Sequence, residues 1–146
     1  MPALRHIAAA ALAVCALTAC AGAPEPTPVT EPPANACAVY ESSDWAAWIN
    51  AMPGPGAQRT LHVTGRIVVP TPNYTATLTA GIADRSAIPV QQINLNLATT
   101  DGMALQVLTP LEVRYEGPAI AQNYRAIRIM CGGRAIAEIT EIETAH

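Results

Sequence analysis

The chain has 146 residues and a formal net charge of −3, and 51% of its residues are hydrophobic although only 4% are aromatic and none is Phe. Its eight basic residues are all arginine and stand against eleven acidic ones. No basic face is available to displace the counterions of nucleic acid, so nucleic acid is excluded as a partner, and mechanisms that use a lysine as base or Schiff-base former are excluded with it.

The first element in chain order is Met1 to Ala19, with a positive charge at Arg5, an apolar run from Ile7 to Leu17 and small residues after it. These are the three parts of an export signal. The apolar run is about half the ~20 residues that a bilayer span requires, so the segment is read as a leader and not as a membrane helix. Leu17-Thr18-Ala19-Cys20 resembles the lipobox of bacterial lipoproteins. The resemblance implies a leader at residues 1–19 and diacylation of the Cys20 thiol, palmitate being a typical chain. Cleavage would then make Cys20 the first residue. It also implies an outer-membrane address facing the periplasm, because Ala21 follows the cysteine where an aspartate would retain the protein at the inner membrane. Two or more acyl chains are enough for stable anchoring.

Residues 20–36 form a linker rich in proline, with Pro24, Pro26, Pro28, Pro32 and Pro33 among small, polar or acidic residues. Proline excludes both a helix interior and a central strand, and no apolar periodicity is present to bury. An extended spacer of about 3.1 Å per residue is expected. Residues 37–146 then make one domain of about 110 residues, enough for a single core. Cys15 falls in the leader and Cys20 is the lipid site. Cys37 and Cys131 are left to pair in an oxidising compartment, and a disulfide between them is expected.

Within the domain, Ser42 or Ser43 followed by Asp44 provides a helix N-cap, and Trp45, Trp48, Ile49 and Met52 recur at i, i+3, i+4 and i+7. One short helix is therefore expected, stopped by Pro53-Gly54-Pro55-Gly56. The tryptophans are assigned to its core-facing stripe, with stacking on a sugar ring as the functional alternative. Period-two alternation then marks strands at Thr60 to Val69, Tyr74 to Ala80, Gln92 to Leu97 and Leu111 to Glu116. Two more are expected at Tyr124 to Cys131 and Arg134 to Glu143, joined by a Gly132-Gly133 hairpin turn. In the last of these Ile136 and Ile142 fall on the opposite parity from Ile139, which signals a bulge or burial on both faces. The fold class is thus all-β: an antiparallel sandwich, immunoglobulin-like, or a small open barrel, with six to seven strands and one N-terminal helix.

Residues able to carry chemistry are few. Outside the leader the histidines are His62, at an outward strand position, and His146 at the last position. They are too far apart for a metal site and unaccompanied by a nucleophile motif, so no metal, no cofactor and no enzymatic activity are expected. Glu138, Glu141 and Glu143 are read as a charged sheet edge. Arg66, Arg114 and Arg128 are the candidate binding surface for an anionic glycan or lipid head group, against a simpler reading as cross-strand ion pairs. Pro70-Thr71-Pro72-Asn73-Tyr74 resembles an inhibitory loop of chagasin-type cysteine-protease inhibitors, departing from it where Asn73 replaces a glycine. The expectation is a lipid-anchored envelope protein acting as a non-catalytic binding or structural module, whose partner is an envelope protein or glycan. A periplasmic protease inhibitor is the alternative. The sequence does not set the oligomeric state.

Overall fold

The computed structural model describes residues 36–146, so the expected leader, the expected lipid site at Cys20 and nearly all of the proline-rich linker lie outside the described residues. Eight strands follow one another: β1 (Glu41–Asn50), β2 (Thr60–Val69), β3 (Tyr74–Ala83), β4 (Val90–Thr99), β5 (Thr109–Pro118), β6 (Ala126–Cys131), β7 (Arg134–Ile139) and β8 (Ile142–Ala145). They form two four-stranded sheets, β5-β2-β1-β8 and β3-β4-β6-β7. The sheets pack face to face on Ile49, Leu61, Val63, Ile67 and Val69 from the first and Ile93, Leu95, Ile127, Ile129 and Ile139 from the second. The core is accordingly aliphatic, as the scarcity of aromatic residues requires. No barrel is closed, and the chain changes sheet at residues 70–73, 100–108, 119–125 and 140–141.

Both sheets are mixed. β8 runs parallel to β1, with Trp48 opposite Glu143, and β6 runs parallel to β4, with Ile93 opposite Ile129. The remaining pairs are antiparallel. The antiparallel sheets of six to seven strands expected from the sequence are therefore corrected to mixed sheets with eight strands among the described residues.

The helix expected from Ser42 to Met52 is instead strand β1. Trp45, Ala47 and Ile49 point inward at period two, and pairing with β2 on one side and β8 on the other outweighs a helical spacing that rests on four side chains. The register between β1 and β2 slips between Ser43 and Ala46, so that Asp44 and Trp45 together oppose Gly65. Asp44 takes a φ of 55°, a left-handed conformation that aspartate tolerates better than most residues. This bulge keeps Trp45 on the inner face, and its indole lies over Gly65, where a Cβ would collide with Cε3.

The expected strand Arg134 to Glu143 is two strands in different sheets. Ile139 faces the core from β7, while Ile142 begins β8 beside β1, so the parity mismatch marks a change of sheet. Cys37, just ahead of β1, is bonded to Cys131 at the end of β6 across a separation of 94 residues. Gly132 and Gly133 make the β6–β7 turn with φ of 57° and 78°, as the hairpin expectation required. A second irregularity separates Ala80 from Ala83 opposite β4. There the buried Gln91 amide donates to the carbonyls of Gly81 (3.0 Å) and Gln92 (2.9 Å), satisfying oxygens released from the ladder. In the β5–β6 link the Tyr124 hydroxyl accepts the Ile120 N–H at 2.8 Å, which pins the third sheet change.

Candidate functional site

The three arginines do not form one surface. Arg66 (β2) and Arg114 (β5) share the outer face of the first sheet, where a shallow cleft of about 340 Å³ is lined by Asp44, Thr64, Arg66, Glu112 and Arg114. Arg66 bonds Glu112 across the strand pair at 3.4 Å. Arg128 is on β6 in the other sheet and meets its cross-strand partner Glu138 at 2.8 Å. Cross-strand ion pairing therefore accounts for Arg66 and Arg128, and only Arg114 and the flank of Arg66 remain open to an anion. Such exposed pairs contribute about 0–1 kcal/mol each.

The segment Pro70 to Tyr74 is a corner between the sheets. The Thr71 hydroxyl bonds Asn73, the Asn73 amide donates to the Thr100 carbonyl (3.1 Å), and the Thr100 N–H donates back to the Asn73 carbonyl (2.9 Å). Tyr74 packs against the core. The side chains of Thr71 and Asn73 are thus committed to holding β3 against the end of β4, and only Pro72 is exposed.

His62 points outward, as its strand position demands, yet it is only 7% exposed. The covering comes from the neighbouring strand: Trp48 lies opposite it, and the two rings stack in parallel with centroids 5.1 Å apart. One row of the outer face therefore reads Glu116, His62, Trp48, Glu143 across all four strands of the sheet. His62 Nε2 bonds the Thr60 hydroxyl at 3.0 Å, and its Nδ1 faces Glu116 Oε2 at 3.7 Å, beyond hydrogen-bond distance. Thr60, His62 and Glu116 thus stand in the order hydroxyl, imidazole, carboxylate of an acyl-transfer relay. None of these three residues lines any of five well-formed clefts among the described residues, and one face of the imidazole is covered by the Trp48 ring.

The largest of those clefts, about 570 Å³, opens beside β1 where β8 has not yet begun. Trp45 and Trp48 line it together with Glu138, Glu141 and Glu143. Trp45 Nε1 is buried without a hydrogen-bond partner among the protein atoms. The sequence reading had these tryptophans on one helical stripe, whereas alternation in β1 sends Trp45 to the core and Trp48 to the outer face. An aromatic ring bordered by carboxylates is the chemistry of a site for a sugar or a cationic group. Among the described residues there is no cluster of His, Cys, Asp and Glu able to hold a metal ion, and no helix long and apolar enough to cross a membrane.

One surface was not anticipated. Between Asp101-Gly102 and β5 the chain exposes Met103, Leu105, Val107 and Leu108 in succession. The sequence signal was a run of apolar residues outside any alternating segment, between the strands expected at Gln92 to Leu97 and Leu111 to Glu116.

No protein-family model, no curated protein and no solved structure gives a significant match to this chain.

Proposed function

We propose that this chain is an exported, lipid-anchored envelope protein whose β-sandwich acts as a non-catalytic binding or structural module. The observation that carries the reading is Leu17-Thr18-Ala19-Cys20 at the end of a short apolar run. The bond between Cys37 and Cys131 supports it independently, because structural disulfides persist in oxidising compartments such as the periplasm. For the module's contact, the cleft that joins Trp48 to Glu138, Glu141 and Glu143 supports an envelope glycan or a cationic segment of an envelope protein. The inhibitor alternative requires a loop tip free to enter a protease cleft, and it draws little support from a corner whose Thr71 and Asn73 are engaged internally.

Two measurements test the reading. Intact-mass analysis of the membrane-derived protein should give a chain starting at Cys20 and carrying fatty acid, and Cys20→Ser should abolish fatty-acid labelling and release the protein to the soluble fraction. An unprocessed or unacylated amino terminus overturns the anchor. Crosslinking in intact cells should trap a recurrent envelope partner that Trp48→Ala loses, and recovery of only bulk lipid and abundant porins overturns the binding role.

A further inference from the structure

Every feature at one end of the sandwich can be placed from the strand registers. Thr109 of β5 pairs with Val69 of β2, and the Tyr40 N–H bonds the Val68 carbonyl, so the start of β5, the end of β2 and the segment ahead of β1 lie together. β4 ends nearby, because Thr99 pairs with Tyr74 at the start of β3. Ala36 lies at this end as well, lining a cleft of about 440 Å³ with Asn96, Leu97 and Gly133. The chain that leads back to Cys20 therefore leaves the domain where the 100–108 link crosses between the sheets.

That link carries an unusual surface. Met103 is fully exposed and Leu105 77% exposed, with Val107 and Leu108 beside them, and from Gly102 to Leu111 there is no charged residue. Tyr40, 72% exposed, stands at the same end. Solvent-facing aliphatic side chains at successive alternate positions are disfavoured in water, whereas a tyrosine with apolar neighbours suits the boundary between head groups and acyl chains. The link is partly closed on itself, since the Val107 N–H bonds the Leu105 carbonyl (2.9 Å) and the Thr109 hydroxyl bonds the Val107 carbonyl (2.9 Å). Backbone groups without such partners hold it at the interface and keep it out of the hydrocarbon centre. The opposite end also exposes isoleucines, Ile82, Ile88 and Ile120, but these stand among Asp84, Arg85 and Arg125 and do not form an uncharged segment.

We infer that the link from Met103 to Leu108, with Tyr40, is a lipid-contact surface by which the tethered end of the domain rests in the membrane interface. This inference rests on the anchor proposed above. Ala36 lies sixteen positions beyond Cys20, a reach of at most about 58 Å at full extension. A tether of that length gives an effective concentration of the order of mM at the bilayer, so the loop needs only a weak affinity of its own to be membrane-engaged much of the time. Glu41 and Asp101 lie at this end and Arg134 follows the nearby Gly132-Gly133 turn, so the surface has no excess of positive charge to select anionic lipid. Contact with zwitterionic phosphatidylcholine follows, with little dependence on salt.

The experiment uses the full-length protein purified from membranes, its intact mass being read first. Leu105→Trp and Ile82→Trp, both at exposed positions at opposite ends, are reconstituted into phosphatidylcholine vesicles with and without bromine on the acyl chains. Trp45 and Trp48 give both variants the same background. Emission from Leu105→Trp should be quenched at least threefold more than that from Ile82→Trp, and adding Met103→Asp and Val107→Asp should remove the difference. Equal quenching in the acylated protein overturns the lipid-contact surface and leaves the anchor intact. An unacylated mass overturns the anchor, and the same quenching ratio, measured with the protein added to vesicles at mM lipid, then decides the loop by itself.

Discussion

Gly65 and Trp45 offer a sharp test of how β1 is held. The bulge at Asp44 and Trp45 places an indole directly over a strand position that has no side chain. A methyl group at Gly65 would run into Cε3, Cδ2 and Cζ3 together, and these belong to a rigid bicyclic ring packed against the core. Gly65→Ala should therefore incur an overpacking cost of about 1–3 kcal/mol. It is offset by about 0.4–1 kcal/mol because alanine reduces the freedom of the unfolded chain. A net loss of about 1–2 kcal/mol is expected, which lowers Tm by about 5–15 °C in a domain of this size. Thermal unfolding followed by circular dichroism and by tryptophan emission measures it. Repeating Gly65→Ala in a Trp45→Ala background isolates the contact: with the indole gone the cost should vanish or change sign, a coupling of about 1–2 kcal/mol. If Gly65→Ala is neutral in the wild-type chain, or equally costly in both backgrounds, the indole does not occupy the space over Gly65 and the bulge does not place it there.

Further outcomes follow from the braces and turns. Replacing both Cys37 and Cys131 with Ser, or reducing the bond, should lower stability by about 2–5 kcal/mol in denaturant titrations, because the bond closes a loop spanning 94 residues of separation. Tyr124→Phe removes the acceptor of the half-buried Ile120 N–H and should cost about 1–2 kcal/mol while leaving the secondary-structure signal unchanged. Asp84 titrates below the usual carboxylate value, chiefly because the Ser86 hydroxyl and then its backbone N–H bond the charged form. A depressed pKa in the folded state means that this contribution is present above the unfolded value and is lost as pH falls through the folded one. Ser86→Ala should move the Asp84 titration upward in a carboxyl-resolved NMR titration, and an unmoved midpoint refutes the assignment to Ser86.

Strands β2 to β5 were legible because each buries one face, which writes period two directly into residues such as Leu61, Val63, Ile67 and Val69. β1 was not, for two physical reasons. Its inward residues include the small Ala47, and its outward face carries the large Trp48, which pairs with His62 instead of facing solvent; the apolar spacing then imitates a helix. The burial of His62 was illegible for the same cause, since a strand's alternation says nothing about what the adjacent strand lays over it. Ile136, Ile139 and Ile142 did announce an irregularity, but only pairing across the molecule shows it to be a change of sheet. Of the candidate site residues, the Cys37–Cys131 pair was readable by elimination. The Arg66–Glu112 and Arg128–Glu138 pairs depend on registers that no single strand encodes.

The position of the disulfide also has a mechanical consequence. Cys37 precedes β1, and its sulfur joins Cys131 at the end of β6 in the opposite sheet. Force applied to the polypeptide ahead of Cys37 is therefore shared covalently with an interior strand of the second sheet before it reaches the β1–β2 and β1–β8 ladders. A domain pulled from its amino-terminal side would bear load on both layers at once, and β1 would be shielded from being unzipped residue by residue.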